Sequence, residues 1–317
     1  MRAYLVRRLL ILLPTLLIAS VIVFVTVRLI PGDVLDIMLS QNDLSAGKAN
    51  REELTRALGL DRPMAEQYVC WLGGLVQGDL GRSLWQSTFV AELLWARLPV
   101  TFELSVMALA VALLIALPIG VYSAIRQDSP GDYVARSFAV LLLAVPGFWV
   151  ETMVMVFPSI WWGWAPETRY VPFADNPLQN LHQMIIPAIV LGMSLSALTM
   201  RMTRTMMLEV LRQDYIRTAW AKGLSEPLML RRHALRNAVI PVVTLIGLQA
   251  PLLIGGAVIV EQIFVIPGMG LLFLDAVNQR DYPIITGVFL VVGVLVMLVN
   301  LFVDLSYGLL DPKVRYG

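Results

Sequence analysis

Six apolar stretches, at about residues 9–30, 100–124, 134–157, 184–204, 238–260 and 284–306, limit what this sequence can fold into. Each approaches the roughly 20 residues that carry a helix across a bilayer. Lipid offers no water, so backbone N–H and C=O groups must pair within the chain, and such stretches must be helices. The chain is 58% hydrophobic and 15% charged over 317 residues, which predicts an all-α membrane protein with six transmembrane helices. A formal net charge of +1 gives no basis for nucleic-acid binding. The single cysteine, Cys70, excludes an intramolecular disulfide and a cysteine-cluster metal site. The two histidines, His182 and His233, lie far apart in sequence, so no metal centre is expected.

The first stretch follows Arg2, Arg7 and Arg8, as a signal peptide would. Its apolar run, Leu9 to Val27, is too long for a cleaved segment, and no small-x-small site closes it. It is therefore read as a retained first span. Basic residues set the orientation. Three precede the first span, Arg126 and Arg136 flank one loop, the 201–237 loop is rich in them, and Lys313 and Arg315 end the chain. The 158–183 and 261–283 loops carry only Arg169 and Arg280, so both termini are expected in the cytoplasm.

The expected organisation is a cytoplasmic N-terminus with the first span over 1–30 and an external segment over 31–99. A five-span core follows over 100–310, containing a cytoplasmic loop over 205–237, and then a cytoplasmic tail over 311–317. Two short amphipathic helices are predicted in the external segment. One covers Arg51–Leu60; the other covers Met64–Gln77 and puts Tyr68, Trp71, Leu72 and Leu75 on one side, as in a helix lying on the membrane. Gly78–Ser83 then reads as a turn-rich link. Pro14, Pro118, Pro146, Pro187, Pro241 and Pro251 fall inside spans, where each removes a backbone donor and can kink its helix. Gly192, Ser194, Ser196 and Gly255–Gly256 permit close helix packing.

The 205–237 loop is the most basic part of the chain. Arg201, Arg204, Arg212, Arg217, Lys222, Arg231, Arg232 and Arg236 are accompanied by only Glu209, Asp214 and Glu226. Ile216, Ala219 and Trp220 give a short helix an apolar side, and Arg217 and Lys222 give it a charged one. Gly223 falls where a helix ends, because glycine enters the left-handed region cheaply. Ser225–Pro227 opens a second helix, so a helix–turn–helix along the cytoplasmic face is predicted. A membrane protein that folds a helix in its most basic loop presents it to something cytoplasmic.

The run Tyr215–Ser225 (YIRTAWAKGLS), followed by Arg232–Pro241 (RHALRNAVIP), resembles the EAA loop of ABC importer permeases. It is closest to the dipeptide, oligopeptide and nickel branch. The likeness covers almost the whole chain: RRLLILLPTLLIASVIVF at the start, GDLGRS at Gly78–Ser83, LPVT at Leu98–Thr101, VPGF at Val145–Phe148, FVIPGMG at Phe264–Gly270 and RDYP at Arg280–Pro283. Two positions depart from the general pattern. Arg217-Thr218-Ala219 stands in place of Glu-Ala-Ala, and Pro241 lies farther from Gly223; both are usual in the peptide branch.

The resemblance implies that Tyr215, Arg217, Thr218, Ala219, Ala221, Lys222, Gly223 and Leu224 form a coupling helix seated in a groove of a cytoplasmic ATPase. It implies a second homologous permease as heterodimer partner, two ATPase subunits and an external substrate-binding protein, in a bacterial or archaeal inner membrane. The chain has no GxxxxGK[ST] loop to cradle phosphates, so ATP and Mg are expected on the partners and no catalytic residue or cofactor is assigned here. Peptides are the expected cargo, with nickel chelates, glutathione and other small solutes as alternatives.

Acids in spans cost several kcal/mol unless they face a cavity or a partner. Glu151 and Glu103 are therefore candidate positions on the translocation path, against a structural hydrogen bond or a headgroup-level position. Pro267, Gly268, Gly270 and Asp281 mark a candidate external gate, with Leu271, Leu272 and Leu274 able to plug it or simply to pack. Trp161, Trp162, Trp164 and Tyr170 read as an interfacial belt. Glu151 alone is thin support for an ion-coupled carrier. An intramembrane enzyme would need Ser194 or Ser196 paired with a histidine that the spans do not hold. Replacing Gly223 with a bulky β-branched residue is expected to abolish uptake in vesicles carrying the full transport complex, while membrane insertion is unchanged; normal uptake would count against the coupling role.

Overall fold

The computed structural model describes residues 2–29, 55, 61–167 and 169–310. In order, its elements are α1 (Arg2–Arg28), α2 (Met64–Val76), α3 (Val90–Ile125), α4 (Pro130–Ala144), α5 (Gly147–Trp162), α6 (Pro177–Leu211), α7 (Asp214–Ala221), α8 (Glu226–Met229), a π-turn (Leu230–Ala234), α9 (Leu235–Phe264), α10 (Met269–Gln279) and α11 (Tyr282–Leu310). Among the described residues the only β pairing is an isolated bridge between Arg82 and Phe89, so the fold is all-helical as expected. The predicted helix over Arg51–Leu60 and the tail over 311–317 lie outside the described residues.

Among the described residues four helical stretches are individually long and apolar enough to cross a membrane: Val90–Ile125, Pro177–Leu211, Glu226–Phe264 and Tyr282–Ser306. Helices α4 and α5 pass the same test only as a pair, bent by 89°, giving up to five. The described apolar part of α1, Leu13–Arg28, is shorter than that test requires. Two expectations are corrected here. The span expected over 134–157 is not one helix. Pro146 brings no N–H, and the residue before a proline is driven out of the helical region, so Val145 sits at φ −88°, ψ 124° and the helix stops. The second span starts at Val90 rather than near 100, and Pro99 and Pro118 are both accommodated within its 36 residues.

The chain divides into two compact units, one of Val100–Gly270 with Val296–Gly317, the other of Arg2–Pro99 with Leu271–Leu295. In the first, Leu104, Ala108 and Ala112 recur every four residues on α3, and Met184, Ala188, Leu191 and Leu195 at three or four on α6. This spacing lays each set along one helical stripe. Small residues set how closely the stripes meet. A Cβ on Gly192 would lie 2.5 Å from the Ala108 carbonyl oxygen, and one on Gly120 2.9 Å from that of Met200. One polar bond ties α9 to α6 within this apolar body, from Gln249 Nε2 to Thr199 Oγ1 at 3.2 Å.

The same unit holds the end of α9 with a buried acid. Glu261 is fully buried, takes the Thr101 hydroxyl on Oε1, and accepts the Gly270 N–H on Oε2 at 2.7 Å. The Thr101 oxygen in turn accepts the Met269 N–H at 2.7 Å. A Cβ on Gly268 would fall 2.2 Å from Glu261 Oε1, so the Pro267–Gly270 turn folds directly over this carboxylate.

In the second unit α2 packs on α1. Phe24 meets Tyr68 and Trp71 at ring-centroid distances of 5.4 and 5.6 Å, and the Ser20 and Tyr68 hydroxyls are 2.9 Å apart. The apolar side expected on α2 is therefore real, and it faces a helix. Asp281 is the buried acid of this unit. It accepts the Ser83 hydroxyl at 2.6 Å and the Leu84 N–H at 3.0 Å, fixing the Gly78–Ser83 link. Burial is the largest influence on its carboxyl and pushes it above the ordinary value, against those bonds.

Gly268→Ala is expected to lower stability by about 1–3 kcal/mol, as overpacking does. Gly255→Ala, whose added methyl meets nothing within 4 Å, is expected to be neutral or slightly stabilising. Thermal unfolding of the two variants in detergent checks the contrast.

Candidate functional site

Helix α7 has eight residues, too few to persist alone. Its stability comes from Ile216 and Ala219, at 1% and 9% exposure, set among Met207 of α6, Met229 of α8, Ala234 and Ala238. Burying an isoleucine contributes about 2–3 kcal/mol. The helix ends in a Schellman motif. The Leu224 N–H reaches the Ala219 carbonyl at 3.3 Å, the Gly223 N–H reaches that of Trp220 at 2.9 Å, and Gly223 takes φ +78°. Leu224 folds back onto the same apolar cluster. A Cβ on Gly223 would meet nothing within 4 Å, so its requirement is one of backbone conformation alone.

The expected residues therefore divide. Ala219 and Leu224 look inward and set the pose of the helix. Tyr215, Arg217, Thr218, Ala221, Lys222 and Gly223 are exposed. Trp220, assigned by sequence to the inner apolar side, is 51% exposed and belongs to the outer face. The helical period does not decide this, because Trp220 lies four residues after Ile216 on a neighbouring part of the wheel; the cluster with Met207 and Met229 covers Ile216 and Ala219 and leaves Trp220 open. Tyr215 is tethered, its hydroxyl accepting from Asn237 Nδ2 at 3.0 Å. The Arg217–Asp214 pair at 3.4 Å is exposed on both sides and contributes little.

The second helix of the expected helix–turn–helix is not separate. Glu226–Phe264 is one stretch of 39 residues, with a π-turn at Leu230–Ala234 where the Leu235 N–H bonds back to the Leu230 carbonyl. Seven of the eight basic residues around the loop are exposed, and Arg204 is the exception.

Arg204 closes an ionic cluster that sequence reasoning missed. Asp132, at the start of α4, is fully buried. It receives Arg204 Nε on Oδ1 and Nη2 on Oδ2, both at 2.9 Å, the Asp128 N–H at 3.0 Å and the Ser123 hydroxyl. Arg136 Nη2 lies 3.4 Å away. The two-pronged geometry joins α6 to the α3–α4 turn with direction as well as charge. The signal available in the sequence was Ser129-Pro130-Gly131-Asp132, a helix start whose Ser129 hydroxyl accepts the Asp132 N–H at 3.3 Å.

The two candidate path acids do not share a partner. Glu103 on α3 receives the Tyr170 hydroxyl at 3.4 Å, and its Oε1 has no donor. Tyr170 packs against the core and so leaves the expected belt, whereas Trp161, Trp162 and Trp164 remain exposed. Glu151 on α5 is 3% exposed and receives no donor on Oε2. The residues proposed as an external gate also separate. Gly268 and Gly270 lie over Glu261, and Asp281 holds Ser83. Ser194 and Ser196 donate to the carbonyls of Val190 and Met193, which engages both hydroxyls in their own helix.

Several long apolar helices, with a short exposed helix on the connection between α6 and α9, define a membrane component. Residues 116–316 match the model for the binding-protein-dependent transport system inner membrane component, and residues 1–105 match that for the N-terminal part of such membrane components. The chain belongs to this family. It is 42% identical over 321 residues to the oligopeptide transport system permease protein AppB of Bacillus subtilis, covering 100% of both chains. It is 39% identical over 339 residues to the dipeptide transport system permease protein DppB of Escherichia coli, covering 100% of this chain and 99% of that one. A solved structure of an amino acid ABC transporter has the same fold, with a TM-score of 0.53 at 14% identity over 68% of this chain and 93% of that one.

Asp132→Asn, which keeps shape but leaves Arg204 without its counter-charge, is expected to cost about 3–5 kcal/mol of stability. Arg217→Ala, at an exposed pair, is expected to change it by less than about 1 kcal/mol. Unfolding of the purified variants measures both.

Proposed function

We propose that this chain is the peptide-translocating permease subunit of an ATP-driven importer, and that α7 is where it receives motion. In this reading α1 and the α4–α5 pair complete six spans, with both termini in the cytoplasm of a bacterial or archaeal cell. The 27 residues of α1 rise about 40 Å, enough to cross the hydrocarbon core. A second homologous permease pairs with it, and an external binding protein delivers the solute. Two ATPase subunits hold ATP and Mg and take α7 into a groove. Peptide as cargo rests on the names of the relatives, an oligopeptide and a dipeptide permease. In this reading Glu103 and Glu151 face the path. The Pro267–Gly270 turn holds one external loop in a fixed pose over Glu261, and Asp281 separately holds the Gly78–Ser83 link.

The observation that carries the reading is the division of α7. Two buried residues fix it to its own chain, while an aromatic pair, Tyr215 and Trp220, and two cations, Arg217 and Lys222, are left outward. Exposed tryptophan beside basic residues is the composition of a protein contact, where a single aromatic anchor contributes about 2 kcal/mol or more. The test is reconstitution of the full complex in proteoliposomes. Trp220→Ala is expected to lower both ATPase retention on the purified complex and peptide uptake by at least about tenfold, with thermal stability of the permease unchanged. Undiminished retention and uptake in that variant would refute docking through α7.

A further inference from the structure

Four acids of this chain are almost wholly buried among the described residues: Asp132, Glu261 and Asp281 at 0% exposure and Glu151 at 3%. The first three are met by hydroxyl and backbone N–H donors, and Asp132 also by arginine. Glu151 is met by none: Oε2 is buried without a donor, and no cation pairs with the carboxylate. An unpaired carboxylate in an apolar body costs several kcal/mol, and glutamine or leucine would remove most of that cost.

Its position is as unusual as its lack of partners. Glu151 stands one turn into α5, just past the 89° break after α4. At the break the Val145 N–H turns back to the Leu141 carbonyl, Pro146 has no N–H, and the Trp149 and Val150 N–H groups go to the Pro146 carbonyl. The carbonyls of Leu142, Leu143 and Ala144 are left without a backbone donor. A helix end of this kind carries partial negative charge. Helical side chains lean toward the N-terminus of their helix, which aims Glu151 back at the break. There Gly147 brings the groups together: a Cβ on it would lie 3.8 Å from Glu151 Oε1 and 3.3 Å from Ser194 Oγ, so the carboxylate and the hydroxyl both stand against this glycine. A carboxylate, a hydroxyl and a helix end whose last carbonyls lack backbone donors thus lie together at the break.

We propose that Glu151, Ser194 and the carbonyl end of α4 form a recognition point for a primary ammonium group of the translocated solute, such as a peptide amino terminus. An ammonium offers three donors to acceptors of this type. One carboxylate with no histidine or cysteine is a poor metal site by comparison. The site is closed to solvent here and opens by movement of α5 about the Val145–Pro146 break. The inference rests on the peptide-import reading and deepens it.

The test compares uptake of trialanine and N-acetyl-trialanine by the reconstituted complex, for the unmodified chain, Glu151→Gln and Glu151→Asp. The binding protein is the same throughout, so its own preference cancels in the ratio between variants. Glu151→Gln is expected to lower the ratio of free-amine to acetylated peptide uptake at least about tenfold relative to the unmodified chain, and Glu151→Asp to retain most of that ratio. Equal loss for both peptides, or no loss for either, overturns the proposal. If the binding protein rejects the acetylated peptide, Ser194→Cys in a Cys70→Ser background gives a second readout. Free trialanine is expected to slow thiol labelling of that cysteine, and Glu151→Gln to abolish the protection; absence of protection overturns the proposal. A complex of the unmodified chain that moves neither peptide, with binding protein and ATPases present, would instead remove the importer reading.

Discussion

A backbone amide in lipid has nowhere to turn but its own chain, and the rest of this structure depends on that constraint. It produces the long uninterrupted helices α3, α6 and α11, and it makes the break between α4 and α5 meaningful. A proline in a membrane helix is ordinarily absorbed. Pro187, Pro241 and Pro251 all remain inside helices, as Pro99 and Pro118 do in α3. Among the described residues Pro146 is the one that stops a long apolar helix, and beside it stands Glu151, a deeply buried acid whose Oε2 has no donor. The coincidence of two unpaired features at one place is easier to understand as a site than as two separate defects.

The acids teach the same lesson from the other side. Asp132, Glu261 and Asp281 each collect a loop: the α3–α4 turn, the Pro267–Gly270 turn and the Gly78–Ser83 link. A buried carboxylate surrounded by N–H and O–H donors behaves as a mould around which a turn sets. Short glycine-rich motifs in this chain are therefore best explained by the oxygen atoms they must approach. Gly268 is small because Glu261 lies under it.

Much of this was legible in the sequence. Apolar run lengths located the helices, glycine marked the end of α7, and the Pro267–Gly270 turn followed by a helix to Gln279 was readable from residue types. What was not legible shares a cause. The side on which Trp220 falls depends on which of its neighbours α6, α8 and α9 claim, and this is a tertiary fact. Arg204 reads as one more surface cation until Asp132, 72 residues away, is known to lie beneath it. Proline reports a missing donor but not whether surrounding helices will tolerate it, so the fates of Pro146 and Pro187 could not be told apart by inspection.

The continuity of Glu226–Phe264 has a mechanical consequence. Thirty-nine residues at about 1.5 Å each make a rod roughly 58 Å long, rooted beside α7 through Met229 and Ala234. A rod gripped near one tip would turn a small tilt there into a larger sweep at its far tip, where Glu261 holds the turn that follows. The π-turn, Pro241 and Pro251 are the points along it where the backbone ladder is interrupted and such a tilt would be absorbed as bending.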